Sequence, residues 1–169
     1  MLPLMTAAPR RSYEAGHRPK FLVVVDDTEE CGRAVYFAAR RAGRVGATLA
    51  LLSVVTPGEF QHWFGVGDVM REEAEAAARA HLARVAAHAR EVAGVEPEQV
   101  VREGDRAGEL AALIEDDEDI ALLVLAASPG PEGPGPLVSA IVGKAAGAFP
   151  IPVAIVPGGL TDAEIDALA

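Results

Sequence analysis

The residues whose types and spacing are most suited to binding a ligand lie in a glycine- and proline-rich segment, 128–136, which reads SPGPEGPGP. It follows an apolar run, 120–126, and precedes a stretch of small residues, 137–148, that is typical of a short helix. A glycine loop between a strand and a helix can point backbone N–H groups at an anion, and the helix dipole adds to the attraction. The donors that this segment could offer to a phosphate are Ser128, Gly130, Gly133, Gly135 and Ser139.

Other residues of the same segment oppose phosphate binding. Pro131, Pro134 and Pro136 have no N–H group to donate. Glu132 adds a negative charge where a phosphate would lie, and Lys144 is the only basic residue in the last third of the chain. One lysine and one helix N-terminus compensate the charge of a triphosphate poorly. The segment is therefore either a weak anion site or a proline-stiffened surface loop, and we favour the loop.

Four further groups of residues are of types that can bind a ligand or react. His81 and His88 are seven residues apart on one predicted helix, whereas helical metal ligands are usually four apart, so we predict no metal site. Cys31 lies near a predicted helix N-terminus, which could lower the pKa of its thiol, but no partner histidine supports catalysis. The aromatic segment 60–64 could cover a bound base, contact a partner subunit or anchor the following helix, and we favour the anchor. The acidic run 115–119 is predicted to be a solvated turn.

The scaffold for these residues follows from an alternation of strand-like and helix-like patterns. Strands are predicted at 20–26, 47–55, 95–103, 120–126 and 151–156, with helices between them. Such an alternation builds a parallel sheet with helices on both faces. We predict an α/β fold, a three-layer sandwich whose five-stranded parallel sheet has the order 3-2-1-4-5. A ligand crevice is expected at the switch point between strands one and four.

The domain is predicted to span residues 19–158, between a flexible N-terminal tail, 1–18, and a C-terminal tail, 159–169. Asp27 is predicted to cap the first helix, with Glu30 completing a capping box. In the C-terminal tail, Thr161 and Asp162 could cap one last helical turn.

The composition excludes several classes of protein. The net charge of −10 disfavours binding to nucleic acid or to an anionic membrane. The single cysteine cannot form an internal disulfide, which is typical of a reducing compartment. We find no signal peptide and no apolar run long enough to span a bilayer. The expected location is cytoplasmic.

The layout resembles the universal stress protein family over about residues 19–157. The likeness is carried by Asp26 and Asp27 after strand one, segment 51–54 of strand two, Gly104, loop residues 127–130 and segment 150–153. The resemblance implies a Rossmann-like fold similar to that of the adenine nucleotide alpha hydrolases. It also implies a stress-response protein that regulates or binds and is not an enzyme, and a homodimer formed through the edge strand 151–156.

The resemblance further implies where an adenine nucleotide would lie. Asp26 would contact the adenosine part, with Val54 beside the base. Nucleotide-binding members carry Gly-x-x-Gly, nine residues, and then Gly-Ser or Gly-Thr. Here the first half falls on 127–130, so its leading glycine is Ala127, and the second half falls on Ser139-Ala140 or on Ala140-Ile141. An alternative register, Gly130-x-x-Gly133 followed by Gly143-Lys144, has the right spacing but leaves few residues for the last helix.

The candidate nucleotide contacts are Asp26, Val54, Ala127, Ser128, Gly130, Gly133, Ser139 and Ala140. The loop chemistry and the resemblance together predict a dimeric regulatory protein with weak or no nucleotide binding and no required cofactor. The alternative is a nucleotide-responsive protein that binds ATP or AMP. An unidentified protein partner is expected in either case.

Overall fold

Five strands form a single parallel sheet that places all of their carboxyl ends at one edge. The computed structural model describes residues 9–57, 67–143 and 145–169. The strands are β1 (Lys20–Val24), β2 (Thr48–Val55), β3 (Glu98–Glu103), β4 (Ile120–Ala127) and β5 (Val153–Pro157). The helices are α1 (Cys31–Val45), α2 (Gly67–Ala93), α3 (Arg106–Asp116), α4 (Pro136–Val142) and α5 (Asp162–Leu168), with a 3₁₀ turn at Ala146–Ala148.

The strand order is β3-β2-β1-β4-β5, which confirms the predicted topology. Strand β1 is central and pairs in parallel with β2 and with β4, so that Val24 lies opposite Leu52 and Val23 opposite Val124. Strand β3 pairs with β2, and β5 pairs with β4. The switch point therefore lies between β1 and β4, as expected for this order.

Both faces of the sheet are buried, which explains why its inner strands read as continuous apolar runs. Val23 and Leu51 belong to the core under α1, α2 and α5, whereas Leu22, Leu52 and Leu123 belong to the core under α3 and α4. The helices on each face complete the predicted three layers. Among the residues that the structure describes, none of the helices has the length and apolar surface needed to cross a lipid bilayer.

The start of α1 differs from the prediction. Strand β1 ends at Val24, and the Asp26 side chain then accepts a hydrogen bond from the Thr28 N–H at 2.9 Å, which turns the chain two residues beyond the strand. Helix α1 begins only at Cys31, with Glu30 at its N-cap and no side-chain capping bond. The capping box from Asp27 to Glu30 was therefore wrong, because the turn at Asp26 moves the helix start three residues along the chain.

Three other boundaries of helices and strands also differ from those predicted. The predicted helix 137–148 divides into α4 and the 3₁₀ turn, since Gly143 and Gly147 both lower helix propensity. Strand β5 begins at Val153, after Pro152, which has no N–H for the ladder. Strand β3 begins at Glu98, three residues later than predicted, just beyond Pro97.

Residues 9–18 do not behave as the flexible tail that the sequence predicts. The Arg10 guanidinium donates to the carbonyl oxygens of Ile114 at 2.6 Å and Asp117 at 2.9 Å. Both oxygens lie at the end of α3, where the helix supplies no further N–H donors. His17 Nδ1 lies 2.6 Å from Asp119 Oδ1. The segment is ordered because it satisfies backbone and acidic groups of the turn 115–119, and that turn is accordingly not simply solvated.

The C-terminal segment is likewise part of the domain and not a tail. Thr161 and Glu164 form a complete capping box at the start of α5, as the cap prediction at Thr161 anticipated. Ile165 is fully buried in the core beside α1. The Asp166 carboxylate accepts hydrogen bonds from Arg40 Nε at 2.8 Å and from the Tyr36 hydroxyl at 3.1 Å. These contacts bind α5 to α1.

Replacement of Ile165 tests whether α5 contributes to the stability of the domain. Ile165→Ala removes a fully buried side chain and should lower the free energy of unfolding by about 2–4 kcal/mol. Leu168→Ala is the matched control, because Leu168 is 62% exposed, and it should change stability by less than about 0.5 kcal/mol. Urea denaturation measures both. Equal effects of the two substitutions would show that α5 is not docked as described.

Gly158 allows β5 to meet the loop that follows β4. Its N–H donates to the Ala127 carbonyl at 2.8 Å, and a Cβ at this position would lie 2.6 Å from that oxygen and 2.8 Å from Glu30 Cβ. Gly158→Ala should therefore cost about 1–3 kcal/mol of stability through overpacking. Gly159→Ala is the control, since its Cβ would meet only Pro129 Cβ at 4.0 Å. Thermal melting of the pair checks the prediction, and a neutral Gly158→Ala would contradict this close approach.

Candidate functional site

A large opening beside the central strand lies where β1 and β2 end, under α2. We call it the Asp26 cleft; its volume is about 500 Å³. Asp26 and Ser53–Thr56 line it from the sheet, and Ala74, Ala77 and Ala78 line it from α2. His81, Arg84 and Arg106 add polar and positively charged groups. The cleft is large enough for a small organic ligand.

Asp26 is the polar centre of this cleft. One carboxylate oxygen accepts hydrogen bonds from the Thr28 N–H at 2.9 Å and from the Thr28 hydroxyl at 2.5 Å. The other oxygen lies 3.9 Å from the Arg106 guanidinium, at the first residue of α3. Asp105 caps α3 by accepting from the Gly108 N–H, which fixes the start of the helix and hence the origin of the Arg106 side chain. The carboxylate is thus held in place by both of its oxygens.

A much smaller cavity lies on the other side of β1, facing β4. Its volume is about 90 Å³, against about 500 Å³ for the Asp26 cleft. Asp26 and Cys31 line one wall, and loop residues 134–138 line another. The proline loop therefore fills most of the space at the switch point, where the sequence predicts the phosphates of a nucleotide.

Four of the five residues predicted to donate to phosphate have their N–H groups engaged within the loop and α4, and the fifth is Gly135. Ser128 N donates to the Pro134 carbonyl at 3.2 Å, and Gly133 N donates to the Gly130 carbonyl at 3.4 Å. Gly130 N donates to the Ser128 hydroxyl at 3.3 Å. Ser139 N donates to the Gly135 carbonyl at 3.0 Å in the first turn of α4. The loop is thus closed by its own hydrogen bonds.

The candidate contacts therefore separate into two sets. Asp26 and Val54 come together in the Asp26 cleft. The others line neither of the two cavities beside β1 in the part of the chain that the structure describes; they are Ala127, Ser128, Gly130, Gly133, Ser139 and Ala140. Lys144 and the aromatic segment 60–64 lie outside the described residues.

The sequence reasoning did not assign the basic side chains of the cleft to a ligand site, although it considered His81 as a metal ligand. His81 and Arg84 are three residues apart on α2, and Arg106 begins α3. Helical spacing around the buried residues Leu82 and Ala86 was the available signal, because it places His81 and Arg84 beside the face of α2 that packs on the sheet. Arg106 could have been found from its position directly after Asp105, which caps α3.

Cys31 is a structural thiol. Burial raises the pKa of this thiol to about 11, the opposite of the lowering that its position near a helix start suggested. The Sγ atom lies 3.7 Å from the Val24 carbonyl oxygen. A thiol that keeps its proton is a poor nucleophile. Within the described ranges, no group of three or more His, Cys, Asp or Glu side chains is arranged to hold a metal ion.

Comparison with solved structures shows the same fold in several proteins of low sequence identity. Universal stress protein UspA from Lactobacillus plantarum superposes with a TM-score of 0.68 at 19% identity, over 82% of this chain and 97% of that chain. A universal stress protein in complex with cAMP gives 0.59 at 19% identity, over 83% and 98%. The universal stress protein from Archaeoglobus fulgidus in complex with dAMP gives 0.50 at 16% identity, over 82% and 97%. Among curated protein sequences, no significant match is found.

The sequence itself carries a family signature. Residues 17–157 match the model of the Universal stress protein family, a range that begins before β1 and ends with β5. The match covers most of the chain and includes every strand of the sheet. The chain therefore belongs to the universal stress protein family.

Proposed function

We propose that this protein is a stress-response regulatory protein that acts as a homodimer and binds adenine nucleotides weakly or not at all. The observation that carries the proposal is the closed proline loop, in which four of the five candidate amides already donate to loop and helix acceptors. Binding a triphosphate there would break these hydrogen bonds and bring the anion close to Glu132. Because Pro131, Pro134 and Pro136 add no donors, little would replace what is lost.

A second candidate function, a nucleotide-responsive protein, is favoured by the Asp26 cleft. Its volume of about 500 Å³ and its combination of apolar wall and fixed carboxylate suit a nucleoside. In this alternative Asp26 contacts the adenosine part and Val54 lies beside the base, as the family resemblance implies. Two proteins of similar fold were solved with cAMP and dAMP. AMP would then bind more readily than ATP, since the space toward the loop is only about 90 Å³.

We assign no catalytic step to the cleft. Asp26 is held by Thr28 and Arg106, and the Cys31 thiol keeps its proton, so neither is poised as a base or a nucleophile. Binding and regulation are therefore the proposed roles. The cytoplasmic location and the unidentified protein partner stay predictions from the sequence.

Titration with Mg-ATP tests the loop argument directly. The protein as purified should carry no ATP, and its melting temperature should not rise with ATP at about 1 mM. A variant with Pro131→Ala, Glu132→Gln and Pro134→Ala restores two N–H groups and removes one charge. We expect it to bind ATP about tenfold more tightly than the unaltered protein, which is a change of about 1.4 kcal/mol.

The control variant, Pro152→Ala with Glu91→Gln, removes one proline and one acidic charge at exposed positions away from the loop. It should leave ATP binding unchanged. Tight retention of ATP by the unaltered protein would overturn the proposal in favour of the nucleotide-responsive alternative. Calorimetric titration and melting curves provide both readouts.

The dimer is proposed to form through β5. This strand ends the sheet in the described part of the chain, and its residues Val153, Ala154 and Ile155 are only half-buried in one protomer. An apolar edge strand offers unpaired backbone groups to another chain. Pro152 precedes the strand and Pro157 is its last residue, which restricts pairing to the residues between them.

Sedimentation measures the oligomeric state. The unaltered protein should sediment at twice the mass of one chain, and Ile155→Arg should yield a folded monomer, because a buried arginine pair across the interface is unfavourable. Val45→Arg makes the same change at a position 51% exposed on α1 and should stay dimeric. A monomeric unaltered protein would exclude the dimer. A folded, dimeric Ile155→Arg would place the interface elsewhere.

A further inference from the structure

A second groove opens between α1 and α2 and joins the Asp26 cleft. Its volume is about 280 Å³, and we call it the α1–α2 groove. Val35 and Val85 line it from the two helices. The two openings share Asp26, His81 and Arg84 in their walls, so they are continuous. A ligand seated at the carboxyl ends of β1 and β2 can therefore extend sideways between the helices without meeting the proline loop.

The wall of this groove on α2 is basic in a protein whose net charge is −10. His81, Arg84 and His88 follow one another at intervals of three and four residues, which places them on one side of the helix. On α1, the Arg33 guanidinium is already engaged, 2.6 Å from the Asp162 carboxylate and 5.5 Å from the centre of the Tyr36 ring. The available positive charge is thus concentrated on α2.

Arg84 differs from the neighbouring arginines of its own helix. Arg79 pairs with Glu75 at 2.6 Å, and Arg90 pairs with Glu96 at 2.6 Å. Arg84 forms neither an ion pair nor a hydrogen bond with any residue in the ranges that the structure covers. Its guanidinium is therefore free to form a bidentate contact with a planar or tetrahedral anion.

The acidic groups nearby limit the size of that anion. Asp27 lines the cleft, and Asp26 lies where the cleft and the groove join and is only partly compensated by Arg106 at 3.9 Å. A chain of phosphates that extended back toward them would meet like charge. A single phosphate toward the His88 end of the groove would lie beyond these carboxylates, and the Arg84 guanidinium and imidazole N–H groups can donate to it.

We propose that the α1–α2 groove binds the phosphate of a small phosphomonoester whose uncharged part occupies the Asp26 cleft. The loop after β4 has no part in this contact. Only the choice of a nucleoside as the uncharged part depends on the function proposed above. The anion site itself depends on the basic side chains of α2 and on the continuity of the two openings.

Histidine ring signals in NMR spectra provide the test, since the chain has only four histidines. AMP, adenosine and inorganic phosphate are titrated separately into the full-length protein. AMP should move the His81 and His88 signals and bind about three- to tenfold more tightly than adenosine. His17 is the internal reference, because it is paired with Asp119 at the opposite edge of the sheet.

Two substitutions on α2 separate this site from general charge effects. Arg84→Gln should abolish the advantage of AMP over adenosine, with both affinities measured on the same variant. Arg79→Gln removes the same charge from an exposed position on the same helix and should leave the advantage intact. Movement of His81 and His88 by inorganic phosphate, lost in Arg84→Gln, would support the site and show that it also takes the free anion.

Three results would overturn the inference. They are equal binding of AMP and adenosine, no movement of His81 and His88 at about 10 mM AMP, and an advantage of AMP that survives Arg84→Gln. A different pattern would mark failure of the proposed function: tight ATP binding that is insensitive to Arg84→Gln but sensitive to changes in the loop 128–136. The two ideas can therefore fail separately.

Discussion

Burial of β1 on both faces is the constraint on which the rest of the molecule depends. Each of the residues Phe21–Val24 is buried, and successive side chains enter opposite cores. A strand of this kind needs a neighbour on each side and a helical layer above and below it, which only the parallel arrangement with crossovers supplies. The same constraint places Asp26 just beyond the last paired residue, where the chain leaves the sheet. The position of the candidate site is therefore a consequence of the core.

Backbone donors decide what that site can bind. In a glycine loop that holds phosphate, N–H groups point outward and are free until the ligand arrives. Here the donors of Ser128, Gly130 and Gly133 are satisfied inside the loop, and the prolines between them contribute none. Gly133 and Gly135 adopt positive φ angles, so the glycines serve the turn of the loop itself. The high glycine content of the loop suggests a phosphate site, but it is explained by the backbone conformation of this proline-rich turn.

Sequence reasoning recovered the scaffold more fully than the site. The five strands and the helices between them followed from apolar periodicity, because residues such as Leu22 and Leu51 must be buried in any fold of this chain. The start of α1 did not follow, because a side-chain hydrogen bond from Thr28 to Asp26 competed with the expected cap at Asp27. Asp26 and Val54, which were named through family likeness, line one cleft, and their contact with a nucleotide stays a prediction. A local signal existed in the sequence for Arg84 and for Arg106 separately, but it did not show that they share a cleft. They come from elements far apart in sequence, and only the assembled sheet brings them together.

The order of the segments before β1 and after β5 could likewise not be predicted from their own composition. Their composition resembles that of tails, yet Arg10 and Asp166 find partners on distant elements, α3 and α1. Lys20 connects the same region, because its ammonium lies 2.7 Å from Asp117 and 2.9 Å from Glu98. Burial disfavours the lysine charge, but these two hydrogen bonds outweigh it and raise the pKa of Lys20 overall. The acidic turn 115–119 is therefore a junction that orders the amino ends of the sheet, which leaves the opposite edge, with its cleft and groove, as the surface available for ligands.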